Sequence, residues 1–435
     1  MDWMSRKFVL LAVMSVMQSL AWTGAAEPPE APPVRVARLI RDLGSGDFVR
    51  RQAADEQLAA LGQMSREQLE QVLDDPDVEV RLRARLLLDR LKLDDVWKAS
   101  TVSCRAEDEQ ASNVLLALAR QSGNHVHIGE PYGHFAEQKI DAYFAGVSYW
   151  EAVDDVCART GNRIRPHYDM HTPGIVVSAG NPPKYPRAYS GPIRAQITGA
   201  RRVFIEEVNY EDHKAEVTQS FQINLQFAWE DRFGIVGYAN QPELVEAKTD
   251  NHVVVSTAQA STGGWSATSK GLRQVTASIK LNPVPTSAQA FDIFTVRWGL
   301  IAIGETAVME IKDLESNGVH AQDDLSVRVE SIERQPGAKC LVSVSVARDL
   351  AMPEPHEVVF QEYDVELVDR QGRPYRLQSQ SHALSDRGVQ LKLTFNGEGG
   401  DSEPQSIRLR YPRLRARRDL ELTFRHVPLP TGRPE

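Results

Sequence analysis

The sequence lacks the signatures of several large classes of enzyme. No Gly-x-Ser-x-Gly motif occurs, and the glycine-rich stretches at 261–264 and 397–400 lack the lysine that a phosphate-binding loop needs. A zinc-protease signature begins at His356 and Glu357 but fails, because Phe360 stands where the second histidine is required. These absences predict a non-enzymatic protein with no catalytic residue, no cofactor and no assigned metal ligand.

Long apolar segments and positive charge are also missing. Beyond residue 26 no stretch is long and apolar enough to span a bilayer, so no membrane span is predicted after the N-terminus. The formal net charge is -9 at pH 7. An acidic balance of this kind disfavours nucleic acid as a partner.

Cysteine is scarce, with three residues in the whole chain. Cys104 and Cys157 fall in the same small predicted module, where a disulfide and two buried thiols are equally compatible with the pattern. Cys340 lies in an alternating segment and is predicted to be a core residue. The odd number leaves at least one thiol without an intramolecular partner.

The N-terminus has the features of an export signal. Arg6 and Lys7 precede an apolar run over 8–22, and small residues follow it. A signal peptide is therefore predicted over 1–26 and a proline-rich spacer over 27–33, which implies a protein of the periplasm or cell envelope. A retained membrane anchor is the alternative, but the run is short and interrupted by polar residues.

Residues 34–98 show a helical pattern that repeats at an offset of 30 residues. Asp47 and Asp77 stand at the predicted helix starts of the two copies. The positions that correspond are Phe48, Arg51, Ala54, Leu58 and Leu61 in one copy and Val78, Arg81, Ala84, Leu88 and Leu91 in the other. Each copy resembles one HEAT repeat, which implies a protein-interaction surface. An ordinary helical cap is the alternative, because so few repeats are present.

Residues 99–180 alternate short strands and helices in the order β-α-β-β-α-β. Apolar and polar residues alternate from Val102 to Ala106, which is typical of a half-buried strand. The helix after this strand is predicted to end at a left-handed cap on Gly123. Ser148 and Glu151 form a capping box at the start of the second helix.

Two helix ends make this segment similar to a known family. The first helix ends in Gln121-Ser122-Gly123 and the second in Arg159-Thr160-Gly161. With the order of elements, they resemble the short N-terminal domain shared by secretins and TonB-dependent receptors, although no secretin pore region comes after it. The resemblance implies docking on other envelope proteins through an exposed sheet edge. It implies no reaction.

The rest of the chain is predicted to be all β. A linker over 181–192, rich in proline, glycine and tyrosine, precedes two runs of alternating β-branched and aromatic residues. Two β-sandwich domains, at 193–318 and 319–430, are the simplest interpretation. One large sandwich with long connections is the alternative.

Histidines form one candidate binding cluster. Five of the 11 histidines fall in the α/β module, namely His125, His127, His134, His167 and His171. His125 and His127 share a strand face, and His134 or a carboxylate such as Glu130 would complete a divalent metal site. A solvent-facing polar strand is the alternative, so no metal ligand is assigned.

Tryptophans form the other candidate group. Trp229, Trp265 and Trp298 would together offer a sugar-binding platform in the β region. Aromatic residues in sandwiches more often fill cores, and Trp298 lies within an apolar run.

These features predict a multidomain α+β protein with a short helical repeat region, a βαββαβ module and sandwich-like β domains. The predicted function is a non-enzymatic exported adaptor or scaffold that binds envelope proteins through the module and the helical repeats. The alternative is a periplasmic protein that binds a glycan or small molecule in its β-sandwiches.

Overall fold

Strands dominate the computed structural model, which describes residues 31–129, 138–166, 174–180, 184–209, 214–258, 263–268, 272–312, 314, 318–336, 339–348, 364–385, 388–397 and 403–430. They hold 55% of the described residues, and helices hold 23%. The predicted α+β class is therefore wrong: the protein is mostly β, and helical repeats are not evident. The chain divides into two units, one ending at Lys92 and the other starting at Leu93.

Four helices cover most of the chain from Pro32 to Val96. They are α1 (Pro32–Leu43), α2 (Phe48–Leu61), α3 (Arg66–Gln71) and α4 (Val78–Val96). A proline in the first turn suits α1, because the amide that proline lacks would have no partner within the helix. The buried residues of α1 recur every three or four positions and form one apolar face, namely Val36, Leu39, Ile40 and Leu43.

The sequence similarity that predicted HEAT-like repeats comes from two helices that begin in the same way. Asp47 accepts a hydrogen bond from the amide of Val49 at 2.9 Å, and Asp77 accepts one from the amide of Glu79 at 2.8 Å. Both aspartates therefore cap a helix. The copies then diverge, because α2 is followed by the short helix α3, whereas α4 is followed by a strand that starts at Thr101. The second copy thus lacks the helix pair that such a repeat requires.

An α/β module comes next in the chain. Its elements are β1 (Thr101–Gln110), α5 (Ala111–Ser122), β2 (Val126–Ile128), β3 (Lys139–Ser148), α6 (Tyr149–Arg159), β4 (Asn162–Pro166) and β5 (Ile175–Ala179). They form two small sheets: β1 pairs with β3 in one, and the other has the order β2-β5-β4. Both helices pack on one apolar core with Trp150 and Leu115 among its buried residues.

Local chemistry explains where the module's helices begin and end. Gly123 has φ 71° and caps α5 in the left-handed conformation. Ser148 and Glu151 make both hydrogen bonds of a capping box at the start of α6. The predicted left-handed cap and the predicted capping box are both confirmed. Part of the predicted linker over 181–192 is a strand, because β6 covers Arg187–Ser190.

The β region contains three larger sheets. The first has the order β12-β8-β7-β6, where β7 is Ile193–Asn209, β8 is Lys214–Trp229 and β12 is Gln274–Leu281. The second has the order β11-β9-β13-β20-β17, and β10 also pairs with β13. Its strands are β9 (Ile235–Ala239), β10 (Glu243–Thr249), β11 (Trp265–Ala267), β13 (Ala290–Ile311), β17 (Asp364–Asp369) and β20 (Pro404–Pro428).

The third sheet has the order β14-β15-β16-β19-β18. Its strands are β14 (Val319–Gln322), β15 (Leu325–Gln335), β16 (Lys339–Arg348), β18 (Arg376–Ser385) and β19 (Gly388–Asn396). Valine and leucine alternate with polar residues along β15, β16 and β19, so one face of this sheet is buried.

Two long strands connect the two β cores. β13 and β20 pair antiparallel from Ala290 and Pro428 to Ile311 and Ile407. At one end they contribute residues such as Phe294 to an aromatic-rich core with the first sheet. At the other end they contribute residues to a second core with the third sheet, namely Met309, Ile311, Ile407, Leu409 and Tyr411. Because the last strand serves both cores, the predicted ranges 193–318 and 319–430 are joined by shared strands.

A buried ion pair joins the α/β module to the first sheet. Asp154 on α6 accepts hydrogen bonds from Nε and Nη2 of Arg194 on β7, at 2.7 and 2.9 Å, and from the hydroxyl of Tyr189 at 2.7 Å. The side chains of Asp154 and Arg194 are only 5% and 6% exposed. A bidentate pair of this kind fixes both position and orientation, so α6 is held in register with β7.

The buried Glu230 makes a second joint between these parts. It accepts a hydrogen bond from the amide of Ser100 at 3.0 Å, and Arg232 donates to it at 3.1 Å. Asp231 donates its amide to Asn124 at 2.7 Å. The module is therefore attached through several hydrogen bonds to buried charged groups.

The three cysteines are all free thiols. Cys157 and Cys340 are buried, and Cys104 is partly buried. Cys340 lies in the second core, as predicted. Among the described helices, none is both long and apolar enough to cross a membrane.

Candidate functional site

A cleft in the described part of the chain is lined by strands of the first and the second sheet. Its volume is about 510 Å³. Strands β10, β12, β13 and β20 supply most of its wall, and residues such as Ala239, Gln241 and Trp265 supply the rest. Its charged, amide and aromatic side chains are Gln241, Glu243, Trp265, Lys280, Arg297, Arg417 and Asp419.

A glycine lets the tryptophan lie close to the sheet. Trp265 sits on the short strand β11, which pairs with β9. A Cβ atom at Gly299 on β13 would lie 3.0 Å from Cη2 of Trp265 and 2.9 Å from Oδ1 of Asp419. Glycine in a strand interior often marks such a close approach. The partly exposed indole of Trp265 therefore forms part of the cleft wall.

A cation lies over the same indole. The guanidinium carbon of Arg417, on β20, is 4.7 Å from the centre of the Trp265 ring. This distance is within the range of a cation–π contact. The pair combines a flat apolar surface with hydrogen-bond donors at one place in the cleft.

Arg297 is another charged residue in the wall of the cleft. It lies opposite Glu243 on β10 and opposite Glu421 on β20. Its Nη2 donates to Glu421 at 2.7 Å, and its Nη1 donates to Glu243 at 3.4 Å. The hydrogen bond with Glu421 raises the pKa of Arg297. All three side chains are more than a third exposed, at 39%, 61% and 53% for Arg297, Glu243 and Glu421.

The cleft thus offers donors and acceptors of both charge signs beside an aromatic surface. That combination suits a polar ligand with many hydroxyl groups, since such a ligand needs both kinds of partner. The lining residues that the structure describes include no histidine and no cysteine. Within that lining, hydroxyl groups such as Ser278 have no imidazole base beside them.

The structure separates the three predicted tryptophans. Trp229 and Trp298 are fully buried in the first core. Trp298 stacks on Phe227 with ring centres 4.0 Å apart and donates its indole N–H to the carbonyl of Ala239 at 2.9 Å. The three-tryptophan platform is therefore not formed, and Trp265 alone of the three lines the cleft. The sequence pattern predicted neither Arg297 nor Arg417, because their partners are distant in the chain.

The predicted histidine cluster is only partly described. His125 lies with Nδ1 3.2 Å from Oδ2 of Asp231, and its side chain is 59% exposed. Glu130, His134, His167 and His171 lie outside the described residues. Within the residues that are described, no group of three His, Cys, Asp or Glu side chains is placed to hold a metal ion.

Comparisons with known proteins add no family. No protein-family model matches the sequence, and no curated protein matches it either. One solved structure, a conserved domain protein from Bacillus anthracis, matches 50% of this chain and 72% of its own length at 9% identity. Its TM-score is 0.16, which is too low to support an argument about fold or function.

Proposed function

We propose that this protein is a non-enzymatic binding protein of the cell envelope and that the cleft beside Trp265 binds a glycan. The observation that carries the proposal is the cleft of about 510 Å³ with Trp265, Arg297 and Arg417 in its wall. A volume of this size is typical of small-ligand sites. The envelope location rests on the predicted signal peptide over 1–26.

A glycan fits the chemistry of the wall better than an apolar molecule does. The flat face of an indole packs against the C–H groups of a sugar ring, and charged or amide side chains hydrogen-bond its hydroxyl groups. Arg297 and Glu243 supply donors and acceptors side by side. Because their pairing is exposed, these side chains are able to reorient towards a ligand at small cost.

A glycan array with the purified exported chain tests this proposal. We expect specific hits for the natural protein and a loss of most of the signal for Trp265→Ala. The matched control is Tyr143→Ala, which removes an aromatic side chain that is 73% exposed on β3. The control should keep the hits. Glycan binding that is absent from the natural protein, or equal in the two variants, would contradict the proposal.

A specific observation also favours the adaptor function as a second candidate. Strands β1 and β3 form a sheet of two strands, so among the described strands each has one edge without a partner. Tyr143 on β3 presents a large side chain to solvent. An extended segment of an envelope protein is able to add a strand to such an edge.

Crosslinking on intact cells tests the adaptor function. Lys139 lies on β3 and is 55% exposed, so it is a suitable reactive amine. We expect repeated crosslinks from Lys139 to one extended segment of one envelope protein. Tyr143→Ala should weaken them, and Trp265→Ala should leave them unchanged. Crosslinks confined to the chain itself would remove the support for this function.

A further inference from the structure

A smaller pocket lies where the α/β module meets the first sheet. Its volume is about 240 Å³, and it is bounded by α6, β4 and β7. Most of its lining residues carry a polar or charged group, and the full set is Asp154, Cys157, Asn162, Arg163, Ile164, Arg165, Tyr185, Arg187, Arg194, Gln196, Thr198 and Gln226.

The charge of this pocket is opposite to that of the chain. Its described lining residues include four arginines and a single carboxylate, which gives a formal charge of +3, whereas the whole chain carries -9. Like charges that converge on one small space repel one another unless an anion lies between them. An anion bound in this pocket would therefore lower the repulsion between the arginines.

The one carboxylate is already engaged. Asp154 accepts two hydrogen bonds from Arg194, and Nε of Arg187 lies 3.6 Å from its Oδ1. Arg163 is in a different position: its Nε is buried and has no hydrogen-bond partner among the described residues. Leaving a buried charged donor without a partner is unfavourable. A ligand that accepts hydrogen bonds would relieve that cost.

The remaining groups are compatible with an anion. Gln196 and Gln226 hydrogen-bond each other at the pocket wall and are neutral. Burial raises the pKa of the Cys157 thiol to about 12, so the thiol carries no negative charge near neutral pH. The described lining residues thus include one anionic group and several donors.

We propose that this pocket binds the phosphate group of a small ligand between Arg163, Arg165 and Arg187. Guanidinium groups hydrogen-bond phosphate oxygens in pairs, and a phosphate at neutral pH carries enough charge to balance most of the excess. The pocket is separate from the cleft beside Trp265, so the two sites are tested independently.

Titration calorimetry with inorganic phosphate at low ionic strength tests the proposal. We expect the natural protein to bind phosphate, and Arg163→Gln and Arg165→Gln each to weaken the affinity about tenfold or more. The matched control is Arg201→Gln, an exposed arginine on the same strand as Arg194 but outside the pocket. The control should bind phosphate as the natural protein does.

Two further measurements keep the result clear. Arg165 is exposed, so Arg165→Gln should leave the fold intact. This variant therefore still tests the site if Arg163→Gln destabilises the protein. Methyl phosphate is compared with inorganic phosphate: tighter binding of the ester indicates a phosphorylated larger ligand, and tighter binding of the free ion indicates phosphate itself. No binding by the natural protein, equal loss in the Arg201 control, or equal competition by chloride would overturn the proposal.

Discussion

Two arginine–carboxylate clusters in this protein use the same side-chain types in different surroundings. Where α6 of the α/β module meets β7 of the first sheet, here called the junction, Asp154 and Arg194 are 5% and 6% exposed. At the cleft, the lining residue Arg297 and its partner Glu421 are 39% and 53% exposed, although their shortest contact is also 2.7 Å. The contact distances are equal, so burial is the property that separates the two clusters.

The difference in burial implies different roles. A buried charge that loses its partner remains unsolvated, so the junction pair must stay intact for the module to remain attached. An exposed pair is solvated in either arrangement, so it contributes little to folding and its side chains remain available for a ligand. The same residue types thus hold the structure together at one place and are suited to binding at the other.

The largest effect is expected from breaking the junction pair. Asp154→Ala leaves Arg194 buried without its carboxylate, which should lower the free energy of unfolding by about 3–5 kcal/mol. The neighbouring Asp155 is a matched control, because its pair with Arg159 is 37% and 50% exposed. Asp155→Ala should cost less than about 1 kcal/mol. Urea unfolding measures both, and similar losses in the two variants would contradict the contrast.

Alkaline pH should weaken the same junction. Burial raises the pKa of Cys157 from 9.0 to about 12, and burial also raises the pKa of Tyr149 well above its ordinary value of 10.0. At a pH between the ordinary pKa and the raised pKa of such a group, the folded chain binds more protons than the unfolded chain. Stability therefore falls as pH rises. The contribution of the neutral Cys157 thiol to stability is fully present below pH 9.0 and is lost towards pH 12.

The contribution of the Cys157 thiol to this loss of stability is measurable. Each group held neutral in the fold steepens the decline by up to about 1.4 kcal/mol per pH unit. Cys157→Ala should therefore give a flatter stability profile above pH 9.0. The comparison variant is Cys104→Ala, at the partly buried thiol. Identical slopes in Cys157→Ala and the natural protein would show that the thiol ionises freely in the folded state.

The same contrast explains which parts of the molecule are predictable from the sequence. Ser148, Glu151 and Gly123 act on amides within a few residues, so the helix ends of the module result from local chemistry. The helix starts at Asp47 and Asp77 have the same local origin. The element that comes after each helix depends on tertiary packing, which is why two similar starts did not make a helical repeat.

Long-range pairing has no comparable local signal. Alternation along β13 indicates a strand but not that its partner is β20, which begins only at Pro404. The contacts Asp154–Arg194 and Arg297–Glu421 depend on such pairings. One signal was available in the cleft: Trp265 comes directly after Gly263 and Gly264, whereas Trp298 lies in an apolar run. A tryptophan that lies outside any apolar run favours an edge over a core.

The smallest effect is expected from the cleft pair itself. In a double-mutant cycle with Arg297→Gln and Glu421→Gln, the coupling in unfolding free energy should be close to zero and should vanish in high salt. Exposed pairs lose little when they separate, because water replaces each partner. A coupling as large as the loss at Asp154, and insensitive to salt, would mean that the cleft pair is structural. The pair would then be held too firmly to reorient towards a glycan, and the contrast between junction and cleft would fail.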